Sequence, residues 1–174
     1  MDALFFHPKL VHIPMALAVL MPLVAGGLAL AWWRSWLPRR VWWIAVGFQA
    51  VLVVSGIAAL QSGRSEEERV ERVVLESLIE AHEAQAQAFV VVGAAVLAAM
   101  AFAALLPSNR AATRIAALST LGTLAVGLLG YRTGQAGGEL VYRHGAAQAY
   151  ANTASSAPLR RAPAGPDHED DEDD

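Results

Sequence analysis

The sequence contains no cysteine and few charged residues. Without cysteine, the chain has no disulfides, no iron–sulfur cluster, no thiolate ligand to haem and no CxxCH haem attachment. Charged residues make up 17% of the 174 positions and hydrophobic residues 55%, against roughly 25% and 45–50% in soluble proteins. A basic stripe, a phosphate-binding loop and a Ser/His/Asp set are also lacking. We therefore expect no nucleic-acid partner and no hydrolase or transferase site.

The charges that are present cluster in short segments and leave four long apolar runs between them. A helix needs about 20 mostly apolar residues to cross the hydrocarbon core of a bilayer. A soluble bundle would instead need polar outward faces, and the second run offers only Gln49 and Ser55. We therefore predict an all-α integral membrane protein whose transmembrane helices form an antiparallel bundle of four, with spans at 10–33, 41–60, 84–106 and 115–131.

Two segments outside these runs have their own signatures. Ser65 followed by Glu68 is a capping-box pattern, and apolar residues at helical spacing continue from there to the third run. The third helix is thus predicted to begin near Ser65, outside the membrane, and to enter it without a break. Residues 147–174 are rich in Ala, Pro and acid, with seven acidic residues in the last eight positions. We expect one domain at 1–146 and a disordered tail at 147–174.

Arginine and tryptophan mark one of the two membrane faces. Alternating spans place the loops 34–40 and 107–114 on the same side, and these loops contain no acidic residue. They hold five arginines: Arg34, Arg39, Arg40, Arg110 and Arg114. This density favours a cytoplasmic position, and all five tryptophans flank the first loop as an interfacial belt. Both termini are then predicted to be periplasmic, in the inner membrane of a bacterium, with membrane lipid as the surrounding partner.

Four of the five histidines fall on the opposite side, while His168 lies in the acidic tail and is expected to be solvated. The four are His7, His12, His82 and His144. A single interfacial histidine is usually a hydrogen-bonded packing residue. However, His12 and His82 lie on the apolar sides of their helices, where an unpaired polar ring is costly. The grouping therefore predicts a site at the outer face.

The chemistry best suited to this grouping is haem b, which takes neutral imidazoles from facing helices with an apolar slot between them. We expect His12 and His82 to be the ligands, with His7 and His144 in a second site or a hydrogen-bonding shell. Basic residues of the same side could meet the propionates: Arg64, Arg72, Arg132 and Arg143. Glycines in the fourth span would leave room for a macrocycle or, equally, allow close helix packing: Gly122, Gly127, Gly130 and Gly134.

Two other interpretations remain open. A Zn, Cu or Fe ion could use the same imidazoles, with Glu83 or Glu139 completing the site. His82-Glu83 is not the HExxH zinc motif, because position 86 is alanine. Alternatively, the chain is a structural membrane subunit whose histidines only form hydrogen bonds. Under any of these interpretations the arginine-rich side has no histidine, so electron transfer across the whole membrane is not expected.

Two segments resemble the signatures of a bacterial membrane family catalogued as domain of unknown function number 2231. They are HPKLVHIPMALAVL near the N-terminus and GGELVYRHG after the last span. The resemblance covers about residues 5–146, and His82 matches a histidine that opens the third helix in the family. The family looks like a relative of membrane-bound b-type cytochromes, and members occur beside or fused to c-type cytochrome domains. The resemblance implies haem b at the four histidines and a periplasmic c-type cytochrome or other redox protein as partner.

Overall fold

The structure, a computed structural model, describes residues 10–149, apart from the side chains at 66, 68 and 69. One short 3₁₀ turn, Arg39–Val41, precedes the second helix. No strand occurs in the described range. Each helix is long and apolar enough to cross a membrane, judged by length and composition. The prediction of an all-α chain with four such helices is confirmed: α1 His12–Trp33, α2 Trp42–Val70, α3 Glu76–Leu105 and α4 Asn109–Tyr142.

Each helix packs closely against two others: α1 against α2, α2 against α3, α3 against α4, and α4 against α1. Helices α1 and α3 are therefore diagonal to each other. The buried positions of α3 alternate in steps of four and three, which is the heptad spacing of helices that pack side by side. These positions are Phe89, Gly93, Val96, Met100 and Ala103.

Large apolar side chains face outward while several polar side chains face inward. Leu23 is 74% exposed and Val19 71%, whereas Gln49 and Thr123 are fully buried. The Gln49 Nε2 amide donates a hydrogen bond to the Gly93 carbonyl at 3.0 Å. Small residues and hydrogen bonds hold helices together when the surroundings are as apolar as the side chains. This distribution is consistent with a lipid environment.

At the end of the bundle formed by loops 34–40 and 107–114, which we call the arginine end, α2 and its preceding turn are bonded to α3. The Trp42 indole donates to the Met100 carbonyl at 3.0 Å. The Arg39 guanidinium donates to the carbonyls of Ala103 and Ala104 at 3.2 and 2.6 Å. These two carbonyls lie in the last turn of α3 and have no partner within the helix. Arg39 therefore caps α3.

The predicted start of the third helix is wrong. Ser65 lies inside α2, which continues to Val70, and its hydroxyl donates to the Ser62 carbonyl at 2.7 Å. A serine within a helix can bond back to its own preceding turn instead of capping a new helix. The chain turns at 71–75, and α3 begins at Glu76. The helix still extends beyond the predicted span, but by fewer residues.

The fourth helix is longer than the membrane span predicted within it. Helix α4 continues to Tyr142, eleven residues beyond the end of that span. The expected disordered tail lies outside the described residues, except for 147–149.

The ring of Phe89 lies between glycines of two neighbouring helices. A Cβ added at Gly130 of α4 would lie 3.2 Å from Phe89 Cε2 and 3.4 Å from Ala18 Cβ of α1. A Cβ at Gly56 of α2 would lie 3.3 Å from Phe89 Cε1. Helices α2 and α4 thus approach the aromatic ring of α3 through glycines, and α1 approaches the same glycine of α4 through Ala18.

We predict that Gly130→Val lowers the free energy of unfolding by about 1–3 kcal/mol, because the added carbons overpack the ring. Gly27→Val is the matched control, since a Cβ at Gly27 meets no atom within 4 Å. Both substitutions place valine in a helix, so their intrinsic helix costs are alike. Unfolding by SDS titration in mixed micelles, followed by circular dichroism, measures the difference. Equal losses in the two variants would contradict this account of the packing.

Candidate functional site

The described histidines lie at the end of the bundle opposite the arginine end, which we call the histidine end. His82 is half-buried in the second turn of α3, and His12 is the first residue of α1 and exposed. His144 is exposed just beyond the end of α4. His7 lies outside the described residues. Of the three described histidines, only His82 therefore has its side chain partly inside the bundle.

The His82 ring lies against the backbone of α4 at Gly137. A Cβ built at Gly137 would lie 3.1 Å from His82 Cε1, and 3.6 and 3.7 Å from the ring nitrogens Nε2 and Nδ1. A Cβ built at the next residue, Gly138, meets nothing within 4 Å. Helix α4 thus presents a backbone surface without side chains at the depth of the half-buried imidazole.

His12 lies at the same depth as His82. The Met15 methyl group of α1 lies 2.7 Å from the position that a Cβ on Gly134 would occupy. His12 precedes Met15 by three residues, and Gly137 follows Gly134 by three residues on the antiparallel α4. Each step is about 4.5 Å along the helix axis in the same direction. His12 and His82 therefore flank one level of α4, although their own helices are diagonal and not adjacent.

The four glycines selected from the sequence serve in close packing. Gly122 lies against Val96, Gly127 against the Ala18 carbonyl, Gly130 against Phe89, and Gly134 against Met15. The packing interpretation therefore holds for all four. Gly137 likewise lies against a side chain, the ring of His82, whereas a Cβ at the neighbouring Gly138 would meet no atom within 4 Å. This doublet belongs to the GGELVYRHG segment but is not among the residues that the sequence predicts for the site. Whether a glycine of this doublet contacts a histidine depends on which residue of α3 lies opposite it, and the sequence of α4 does not contain that information.

An ion pair joins α2 to α3 beside His82. The Glu83 carboxylate accepts hydrogen bonds from Arg64 Nε at 2.5 Å and from Gln87 Nε2 at 3.0 Å. The ion pair fixes the outer turns of α3 against α2. It also engages Arg64, a predicted propionate partner, and Glu83, a predicted metal ligand.

The other predicted propionate partners differ among themselves. Arg143 is 3.8 Å from Glu139 in an exposed pair. Arg72 and Arg132 are exposed, and neither forms an ion pair with any side chain that the structure describes.

The core-facing side of α3 becomes polar toward the histidine end. Phe89 is followed outward by Gln85 and His82, one and two turns away. The Gln85 Oε1 atom is buried and accepts no hydrogen bond from the described residues. The helical spacing places Gln85 on this face, but the sequence gives no sign of its unsatisfied oxygen. The apolar core therefore ends in a small polar layer.

The possible metal groups differ in the number of protein ligands that they require. Among the described residues, no three side chains of His, Asp or Glu come together in a way that could hold an ion. A structural or catalytic zinc site takes three or four protein ligands. Haem requires only one or two, because the porphyrin supplies the other donors. A bare zinc ion would therefore need ligands beyond those that the described residues bring together, whereas haem would need only one or two imidazoles.

Comparisons of the chain with protein-family models, curated proteins and solved structures give no match. The resemblance to the family of domain of unknown function 2231 therefore stays a prediction.

We predict that Gly137→Ala displaces the His82 ring, because the added methyl group would lie 3.1 Å from Cε1. Gly138→Ala should leave the ring in place, since a Cβ there meets no atom within 4 Å. The measurement is the NMR resonance of His82 in protein labelled with ¹³C at histidine Cε1. A shift of similar size in both variants would show that the ring does not lie against Gly137.

Proposed function

We propose that this chain is a bacterial inner-membrane protein that holds haem b at its histidine end and exchanges electrons with a periplasmic redox partner such as a c-type cytochrome. The observation that carries the proposal is the half-buried His82 ring against the bare backbone of Gly137, with His12 at the same depth. An imidazole at the end of an apolar core can serve as a haem ligand, and the adjacent Gly138 carries no side chain that would obstruct a planar macrocycle.

In this proposal His82 holds the iron from α3, and His12 supplies the second ligand from α1. Haem b, when bound, supplies a one-electron iron couple whose potential is set by its ligands and its burial. Gly137 and Gly138 keep side chains of α4 out of the space between the two histidines. Arg72 and Arg132 provide positive charge near the surface, where propionates are best stabilised.

The chain's own residues confine this chemistry to one end. Phe89 is buried in the bundle core two turns from His82, on the side toward the arginine end. From His82 to the end of α3 at Leu105 the helix spans roughly 35 Å. No histidine lies in the arginine loops, so electrons would enter and leave on the same side. The arginine loops without acidic residues favour a cytoplasmic position for the other end.

We expect purified protein to show the α-band of a b-type haem in its reduced-minus-oxidised spectrum. His82→Ala should abolish the band, because it removes the half-buried ligand. His12→Ala should weaken haem retention, and His168→Ala is the matched control from the predicted tail. A wild-type protein without an α-band, or a His82→Ala variant with an unchanged one, would refute the proposal.

Elemental analysis of the same preparation separates the alternatives. Iron in a one-to-one ratio with haem is the expected result. Abundant zinc or copper with little iron would instead favour a metal-ion site. If no metal is found and the His12→Ala and His82→Ala variants assemble normally, the chain has a structural role.

A further inference from the structure

A second feature lies at the arginine end, in the groove between α1 and α4. The groove has a volume of about 450 Å³, and small residues form its floor: Gly26, Ala29, Ala117 and Thr120. A Cβ at Gly26 would meet only the Thr120 methyl group, at 3.7 Å. The groove therefore exists because both helices carry small residues at this crossing.

The mouth of the groove is aromatic and cationic. Trp33 and Arg114 line it, and both are exposed. The Arg34 guanidinium lies 5.4 Å from the centre of the Trp33 ring. Arg110 is one turn before Arg114 on the same side of α4. No acidic residue lies in either arginine loop, so these charges have no anionic partner there.

The start of α4 adds to the positive potential. Its N-cap residue, Ser108, makes no side-chain capping hydrogen bond. The first backbone N–H groups of a helix lack partners within the helix and favour a bound anion. The open helix start and two arginines on successive turns thus lie at one end of an apolar groove.

We infer that this groove binds an anionic phospholipid, with an acyl chain along its apolar floor and the phosphate at Arg110 and Arg114. A phospholipid has an apolar acyl chain attached to an anionic phosphate. The groove has an apolar floor that leads to a cationic mouth, so the two match end to end. Basic pockets between transmembrane helices bind anionic head groups in this way. The inference requires that the helices span a membrane, but it does not depend on haem.

Another groove of the bundle gives an internal comparison. It lies between α3 and α4, has a volume of about 290 Å³, and is lined by apolar residues such as Val91, Val96 and Leu118. No charged residue lines it. This second groove could hold an acyl chain, but it has no positive charge beside it. We therefore expect it to bind phospholipids without preference for an anionic head group.

Native mass spectrometry of the full chain in detergent tests the inference with three probes. We expect phosphatidylglycerol to be retained more strongly than phosphatidylcholine, because only the former carries a net negative charge. Glycerol phosphate should not be retained, because it lacks an acyl chain. Equal retention of the two lipids would overturn the inference. Retention of glycerol phosphate as strong as that of phosphatidylglycerol would assign a free-phosphate site and also overturn it.

Two pairs of variants locate the site. Arg114→Gln should weaken phosphatidylglycerol binding about fivefold, which corresponds to about 1 kcal/mol for one basic residue at an anionic surface. Arg40→Gln removes an exposed arginine of the same end that does not line the groove, and should leave binding unchanged. Equal weakening in both would show diffuse surface attraction and overturn the site.

The second pair tests the floor of the groove with all charges intact. Gly26→Leu fills it and should reduce retention of phosphatidylglycerol. Gly47→Leu is its control, because a Cβ at exposed Gly47 meets no atom within 4 Å. Circular dichroism establishes that each variant folds. Unchanged retention in folded Gly26→Leu would show that no acyl chain occupies the groove.

Discussion

The contact of Phe89 with two glycines determines how the four helices come together. Its ring lies against Gly56 and Gly130, and Gly130 also receives Ala18 of α1. The heptad spacing then repeats the contact seven residues further toward the histidine end, where the His82 ring lies against Gly137. The position of the candidate ligand is thus fixed by the register of an apolar contact two turns away. Phe89 and His82 thus occupy equivalent heptad positions on α3, with Phe89 in the core and His82 at its edge.

The helix pairs are held together by different means. The α2 segment donates hydrogen bonds to α3 backbone carbonyls at three levels, from Gln49, Trp42 and Arg39, and the Arg64–Glu83 ion pair adds a fourth at the histidine end. Helix α4 instead packs by shape, through glycines that accept side chains of α1 and α3. In apolar surroundings both means are effective, because water does not compete for the hydrogen bonds and close approach maximises dispersion.

The number of helices can be predicted from the sequence because an uncharged length is a one-dimensional signal. The ends of the helices are harder to predict. Ser65, for example, can either cap a new helix or donate a hydrogen bond within the helix that contains it, and the local sequence is compatible with both. The inward position of His82 follows from its spacing to Phe89. The sequence does not predict which glycines of α4 lie against a side chain, because that depends on the residues that other helices place opposite them. The Arg64–Glu83 pair joins residues that are far apart in sequence and could not be anticipated.

The α1–α4 pair connects the two candidate sites. It forms the groove at the arginine end through Gly26 and Thr120, and at the histidine end it brings His12 to the level of Gly137. In the described part of the chain no side-chain hydrogen bond joins these two helices, and their close contacts are made at the glycines of α4. A phospholipid seated in the groove would add contacts to both helices of this pair. These contacts would stabilise the packing of α1 on α4 at the arginine end, where the small residues of both helices form the floor of the groove.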